Sequence, residues 1–155
     1  MNKVKGLQSK DLLGLKDLSL EEIKLILRTA RSMKEVISRP IPKVPTLLGK
    51  HLVTLFYEPS TRTRTSFNMA AKVLSANITN VALSSSSVSK GESLIDTVKN
   101  LEVMGVDCVI VRHNLAGAPH LLARNTKISI INAGDGCNEH PTQGLLDIFT
   151  MVDKR

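Results

Sequence analysis

One short segment of the sequence concentrates groups that can bind a phosphate. Ser60-Thr61-Arg62-Thr63-Arg64 follows a short apolar run and precedes apolar residues at helical spacing. The first turn of a helix presents backbone N–H groups and a partial positive charge, which stabilise a phosphate dianion. The hydroxyls of Ser60, Thr61 and Thr63 add donors, and Arg62 can add a forked, charge-assisted pair. The alternative is a capped helix with solvated arginines.

A second polar segment combines a glycine-rich stretch with a histidine. Asn132-Ala133-Gly134-Asp135-Gly136 comes shortly before His140-Pro141-Thr142-Gln143. Because proline suits the first turn of a helix, His140 and Gln143 are expected near a helix N-terminus. Histidine can donate a hydrogen bond to a carbonyl oxygen that gains charge in a transition state, and glutamine can both donate and accept. A structural histidine is the alternative here, and it is the preferred interpretation of His51, His113 and His120.

Two further basic residues lie where a ligand could reach them. Arg112 follows the apolar residues 108–111, so it is expected at the ligand edge of a sheet, where it either ends a strand or reaches the anion. Lys90 follows a run of serines and precedes Gly91-Glu92. For Lys90 the alternative is a solvated loop. The pattern G-x-x-x-x-G-K-[ST] is absent from the sequence, which argues against a nucleoside triphosphatase.

The elements that must position these residues alternate between helix and strand. Ser19 and Glu22 form a capping-box pattern at the start of a helix that ends near Arg39, before a proline-rich linker. Apolar runs predict strands at 52–56, 78–83, 106–111 and 128–131, with helices between them and a final helix from Pro141. This order predicts an α/β fold: a parallel β-sheet of about four strands with helices on both faces, in three layers. Ligands gather at the carboxyl ends of such strands, where the polar segments lie.

Composition limits the classes of function. A chain of 155 residues with 42% hydrophobic residues suits one domain, and neither a signal peptide nor a membrane span is indicated, so a cytoplasmic protein is expected. The net charge of +7 is spread along the chain, which has one tyrosine and no tryptophan, so a small anion is favoured over nucleic acid or a membrane. Cys108 and Cys137 lack metal-ligand spacing, and reduced cysteines with no metal site are expected.

Four motifs in order resemble the aspartate and ornithine carbamoyltransferase family. They are F-Y-E-P-S-T-R-T-R-T-S-F from Phe56, K-G-E-S-L-I-D-T from Lys90, V-R-H from Val111 and N-A-G-D-G-C-N-E-H-P-T-Q from Asn132. Together they extend the resemblance over nearly the whole chain. The first two, and N-A-G-D-G before H-P-T-Q, look like the aspartate branch, whereas H-P-T-Q alone does not separate the branches.

The resemblance implies a carbamoyl phosphate site without metal or cofactor. The residues implied to bind carbamoyl phosphate are Ser60, Thr61, Arg62, Thr63, Ser86, Lys90, Arg112, His140 and Gln143. Among them Thr63, Arg112 and His140 would polarise the carbonyl oxygen, and Arg62 and Lys90 would offset charge on the leaving phosphate. Lys90 and Ser86, or Ser87 in its place, would reach the active site of the neighbouring subunit of a homotrimer.

The implied activity is transfer of the carbamoyl group from carbamoyl phosphate to L-aspartate in pyrimidine biosynthesis. Residues 1–155 would form the carbamoyl phosphate-binding domain, and the aspartate-binding domain would lie beyond Arg155. A regulatory chain and a dihydroorotase are the candidate protein partners. The alternatives are an ornithine or related carbamoyltransferase or, for these residues by themselves, a binding or assembly module without turnover.

Overall fold

Helices and strands alternate through the chain as expected. The structure, a computed structural model, describes residues 6–82 and 93–154. The helices are α1 (Leu20–Ile37), α2 (Thr61–Val73), α3 (Leu94–Val103), α4 (Ala118–Asn125) and α5 (Pro141–Asp153). The strands are β1 (His51–Phe56), β2 (Asn77–Ala82), β3 (Cys108–His113) and β4 (Ser129–Asp135).

The four strands form one parallel sheet in the order β2-β1-β3-β4. The chain moves outward from β1 to β2 on one side and from β3 to β4 on the other. The strand order therefore reverses between β1 and β3, and parallel α/β sheets bind ligands in the crevice at such a point. The segment after β1 and the last residues of β3 lie beside this crevice.

Apolar side chains pack against both faces of the sheet. On one face Val53 and Leu55 of β1 join a buried cluster with Val98 of α3 and Leu122 of α4. On the opposite face Phe56 and Ile110 pack with Phe67 of α2. These two cores confirm the three-layer α/β/α fold, because a strand in such a sheet must bury side chains on both of its faces.

The first helix confirms its predicted start. The Ser19 hydroxyl accepts a hydrogen bond from the Glu22 N–H, and the Glu22 carboxylate accepts one from the Ser19 N–H at 2.9 Å. Both halves of the capping box are therefore present. The helix ends at Ile37, slightly before the predicted end near Arg39.

The third strand begins two residues later than predicted, at Cys108 instead of Val106. Gly105 has a φ of +83° and ends α3, and the Val106 N–H donates to the Leu101 carbonyl at 3.1 Å. This is the hydrogen bond of a Schellman motif, in which an apolar residue after the glycine packs back on the helix. The apolar side chain of Val106 therefore belongs to the C-terminal end of α3 and not to the strand. Pairing with β1 begins only at Cys108, opposite Leu52.

Candidate active site

Two polar segments that are distant in sequence meet in one cleft at the carboxyl ends of the strands. The cleft has a volume of about 680 Å³. Its walls are formed by Ser60, Arg62, Thr63, Ser66, Phe67, Ala70, Arg112, His140, Thr142, Gln143 and Leu146. The structure thus brings together six residues that the sequence singled out, from the start of α2, the end of β3 and the start of α5.

The start of α2 leaves backbone donors without a side-chain cap. Ser60 is the N-cap, but its hydroxyl makes no capping hydrogen bond within the described residues, and the first turn contains no acidic side chain. The Ser60 hydroxyl therefore does not cap this helix, unlike in the alternative interpretation of the segment as a capped helix with solvated arginines. By contrast, Ser19 and Ser93 do cap α1 and α3. The uncapped N–H groups and partial positive charge of α2 suit an anion placed in the cleft.

The remaining residues of the S-T-R-T-R segment point to different places. Arg62 is exposed and lines the main cleft. Thr61 and Arg64 instead line an adjoining pocket of about 390 Å³, which shares Ser60 with the cleft. The Arg64 guanidinium lies 5.3 Å from the centre of the Phe56 ring, a cation–π contact against the core. Of the two arginines, Arg62 is therefore the one that an anion in the cleft can reach.

Arg112 is held at the centre of the cleft by contacts on two sides. Its Nη1 donates to the Ala133 carbonyl at 3.0 Å, and its Nε lies 3.3 Å from Glu58 Oε2 as an ion pair without an aligned hydrogen bond. Sequence reasoning did not single out Glu58. Its only signals were its place two residues after β1 and within the motif that begins at Phe56. An anion that binds Arg112 must compete with this carboxylate.

Gly134 makes room for Arg112 and His140, two residues of the cleft that lie against it. Its φ is +116°, and a Cβ at this position would lie 2.6 Å from Arg112 Nη1 and 3.5 Å from His140 Cδ2. A contact of 2.6 Å is far below van der Waals distance, so only glycine allows this arrangement. The glycine of the N-A-G-D-G motif is therefore a close-approach residue, a role that the sequence pattern did not reveal.

A buried polar network shapes the segment that leads to His140. Asn132 and Asp135 are both fully buried, and Asn132 Nδ2 donates to Asp135 Oδ1 at 3.0 Å. Asn132 Oδ1 accepts from the Gly134 N–H at 2.8 Å, and Asp135 accepts from the N–H groups of Gly117 and Glu139. The fourth strand accordingly extends to Asp135, although the sequence predicted its end at residue 131. Asn132 and Asp135 can be polar in this buried part of the strand because their side chains are hydrogen-bonded to each other.

Asp135 should stabilise the fold as a carboxylate. Burial by itself raises the pKa of Asp135, but hydrogen bonds from Asn132 and from the Gly117 N–H outweigh it and hold the pKa below its ordinary value. A lowered carboxyl pKa contributes stability above the ordinary value of about 4, and this contribution is lost as the pH falls through the folded-state pKa.

We expect Asp135→Asn to lower the free energy of unfolding by about 1.5–3 kcal/mol near neutral pH, because an amide nitrogen would face buried N–H donors. The gap between wild type and variant should narrow as the pH falls below about 4. Urea denaturation at several pH values measures this gap. Asp17→Asn, at an exposed position, is the control. A gap that does not change with pH would contradict the role given to the Asp135 charge.

His140 is half-buried and faces the cleft. Burial lowers the pKa of His140, and the nearby charge of Arg112 lowers it further. The ring is therefore neutral near pH 7 and can donate one N–H hydrogen bond without bringing a charge. Thr142 Oγ1 lies 3.2 Å from His140 Nδ1. Gln143 Nε2 donates to Asp147 Oδ1 at 2.9 Å, so a ligand must use the second amide hydrogen or the amide oxygen.

Several residues that the sequence singled out lie outside this cleft or outside the described residues. Lys90, Ser86 and Ser87 fall within residues 83–92, which the structure does not describe. His113 is buried and its Nδ1 accepts from the Leu115 N–H, which agrees with the structural interpretation of this histidine. The cysteines Cys108 and Cys137 are both free, and burial raises the pKa of the Cys108 thiol to about 12.

Neither a metal cluster nor a membrane helix is found in the part of the chain that the structure describes. Within residues 6–82 and 93–154, no three or more His, Cys, Asp or Glu side chains gather as metal ligands would. The helices in the same ranges are too short or too polar to cross a bilayer.

The fold and the cleft define a class: an α/β domain with a polar cleft at the switch point of a parallel sheet, where such domains bind ligands. Residues 10–153 match the family model of the aspartate/ornithine carbamoyltransferase carbamoyl-P binding domain. The chain therefore belongs to the aspartate/ornithine carbamoyltransferase family.

Similar proteins agree with this assignment. The chain is 60% identical over 149 residues to the aspartate carbamoyltransferase catalytic subunit of Acetivibrio thermocellus. The alignment covers 96% of this chain and 48% of that protein. It is 62% identical, with the same coverage, to the catalytic subunit of Syntrophomonas wolfei subsp. wolfei. The chain spans about half the length of the curated relatives it matches.

Solved structures of aspartate transcarbamoylases have the same fold. The catalytic subunit of the M. jannaschii enzyme superimposes with a TM-score of 0.86 at 46% identity, covering 94% of this chain and 47% of that one. A Trypanosoma cruzi enzyme in complex with carbamoyl phosphate and aspartate superimposes with a TM-score of 0.85 at 31% identity, covering 92% of this chain and 44% of that one.

Proposed function

We propose that this chain is the carbamoyl phosphate-binding domain of an aspartate carbamoyltransferase catalytic chain. The observation that carries the proposal is the convergence of the uncapped α2 N-terminus, Arg112 and a neutral His140 on one cleft. These groups match an anion joined to a carbonyl, which is the chemistry of carbamoyl phosphate. The names of the relatives that are about 60% identical support the same function.

The phosphate binds at the first turn of α2. Backbone N–H groups at the start of the helix and the hydroxyls of Ser60 and Thr63 donate to its oxygens, and Arg62 adds a charged fork. Lys90 and Ser86, or Ser87 in its place, contribute from the neighbouring subunit of a homotrimer with shared sites. Thr61 takes part through its backbone, because its side chain lines the adjoining pocket.

The carbamoyl group lies deeper in the cleft, against Arg112 and His140. Arg112, Thr63 and His140 donate hydrogen bonds to the carbonyl oxygen, and Gln143 contacts the carbamoyl amide. The uncharged amine of L-aspartate attacks the carbamoyl carbon, the carbonyl oxygen gains negative charge, and the C–O bond to phosphate breaks as the carbonyl re-forms. The departing phosphate accepts the amine proton. Catalysis here consists of positioning and charge stabilisation.

The complete protein has further requirements that this chain does not supply. The aspartate-binding domain lies beyond Arg155, consistent with relatives of about twice this length. The reaction serves pyrimidine biosynthesis in the cytoplasm, and a regulatory chain or a dihydroorotase is the candidate partner. By itself, the chain is expected to bind carbamoyl phosphate and not to turn it over, because half of the contacts to the transition state are missing.

Calorimetric titration of carbamoyl phosphate into the chain tests the proposal. Arg62→Ala should weaken binding about tenfold, since one charge-assisted hydrogen bond at an exposed position contributes roughly 1.5 kcal/mol. Affinity for inorganic phosphate should fall in parallel, because Arg62 contacts the phosphate end.

Arg39→Ala is the matched control. Arg39 is exposed and lies in the linker between α1 and β1, so its loss removes the same charge without touching the cleft. Equal weakening by the two substitutions would contradict the phosphate site at α2, because only the overall charge of the chain would then matter.

A further inference from the structure

Thr142 contacts His140 in a way that the geometry of α5 does not require. It lies in the first turn of α5 and lines the same cleft as His140. Its hydroxyl oxygen is 3.2 Å from His140 Nδ1, and the N-cap residue of the helix, His140 itself, makes no side-chain capping bond. No other hydrogen bond of this hydroxyl is found among the described residues, so it is available to the ring.

The two ring nitrogens of His140 face different surroundings. A Cβ at Gly134 would lie 3.5 Å from His140 Cδ2 and 2.6 Å from Arg112 Nη1, so the Cδ2 edge of the ring and the Arg112 guanidinium both lie against Gly134. Nε2 is bonded to Cδ2 and lies on this edge. Nδ1 lies on the other side, beside Thr142. The nitrogen that can reach a carbonyl oxygen in the cleft is therefore Nε2.

A neutral imidazole carries only one N–H, so its tautomer decides what Nε2 can do. With the proton on Nδ1, Nε2 presents a lone pair to the carbonyl oxygen and cannot donate to it. A hydrogen bond donated to Nδ1 has the opposite effect, because it leaves the proton on Nε2.

We propose that Thr142 is a positioning residue: its hydroxyl donates to His140 Nδ1 and so keeps the ring proton on Nε2, where it can be donated to the carbonyl oxygen of the bound carbamoyl group. The last step rests on the proposed function. The position of the ring proton does not depend on the proposed function, because the tautomer is a property of the ligand-free chain.

The tautomer is measured directly by two-bond ¹H–¹⁵N correlation spectra of the uniformly ¹⁵N-labelled chain, at a pH well above the ordinary histidine pKa of about 6.5. The His140→Gln variant identifies the His140 signals by their loss. We expect the Nε2–H pattern in the wild-type chain, a shift toward the Nδ1–H pattern in Thr142→Val, and return of the Nε2–H pattern in Thr142→Ser. Valine matches threonine in shape, and the serine variant restores only the hydroxyl.

Binding measurements separate this inference from the proposed function. Thr142→Val should weaken carbamoyl phosphate binding roughly fivefold to tenfold, the size of one hydrogen bond, and leave inorganic phosphate binding unchanged. A shifted tautomer without any effect on carbamoyl phosphate would support the Thr142 contact and count against the proposed carbonyl position. An Nδ1–H pattern in the wild-type chain, or an Nε2–H pattern that persists in Thr142→Val, would overturn the inference.

Discussion

Replacing Arg112 with glutamine should lower the affinity of the chain for carbamoyl phosphate about a hundredfold. Two charge-assisted hydrogen bonds from a guanidinium contribute roughly 3 kcal/mol, which corresponds to that factor. The loss should exceed that of Arg62→Ala, because Arg112 is only 24% exposed and Arg62 is exposed to solvent. The measurement is calorimetric titration, with urea denaturation alongside to show that the variant folds.

The control for Arg112 is Arg124→Gln. Arg124 is exposed near the end of α4 and lies outside the residues that form the cleft. The Arg124→Gln variant should bind carbamoyl phosphate as the wild type does. If Arg112→Gln also bound normally while remaining folded, Arg112 would have no part in holding the ligand, and the placement of the carbonyl beside it would be wrong.

Gly134→Ala should weaken binding on the order of tenfold to a hundredfold, although residue 134 would not touch the ligand. The added Cβ would lie 2.6 Å from Arg112 Nη1, so the guanidinium must move away from the Ala133 carbonyl and from His140. The backbone φ of +116° adds strain for any residue with a side chain.

The Gly49→Ala variant separates the effect of backbone strain from the effect of the steric clash with Arg112. Gly49 has a φ of +80°, but a Cβ there meets nothing within 4 Å. Both alanine variants should lose stability, by about 1–2 kcal/mol for Gly49 and by more for Gly134. Only Gly134→Ala should lose affinity. Weakened binding in both variants would show that general destabilisation, and not the displacement of Arg112, is responsible.

The sequence predicted the arrangement of elements well because their signals are local. The capping box at Ser19, the proline at the start of α5 and the apolar runs of the strands each act within a few residues. Parallel strands then bring their carboxyl ends to one edge, which predicts that the segments after β1 and β4 lie together. Arg112 was expected at this edge for the same reason, and it forms the last pair between β3 and β1, opposite Phe56.

The buried polar end of β4 could not be predicted from the same signals. Asn132 and Asp135 look like loop residues, because buried polar groups are stable only when partners satisfy them. Those partners include the Gly117 N–H, which lies far away in sequence. The Glu58–Arg112 ion pair and the Thr142–His140 contact are similar cases, in which residue types are visible in the sequence but distances are not.

Arg112 and His140, two basic residues of the cleft, have different neighbours. Those neighbours determine how the charge of each side chain is balanced or removed. Glu58 balances the charge of Arg112 in the ligand-free cleft, so in the proposed complex the carbamoyl oxygen competes with this carboxylate for the guanidinium. His140 loses its charge through burial and the field of Arg112, so it can donate to an oxygen without competing for the anion. In the proposed complex the start of α2 and Arg62 therefore recognise the phosphate, and Arg112 and His140 recognise the carbonyl.

A crystal structure of the chain grown with carbamoyl phosphate tests the central claim most directly. The account predicts the phosphate at the first turn of α2, within hydrogen-bond distance of its N–H groups and Arg62, with the carbonyl oxygen between Arg112 and His140 Nε2. A ligand whose phosphate lies away from α2, with Arg112 still paired to Glu58 and no contact to His140, would contradict it.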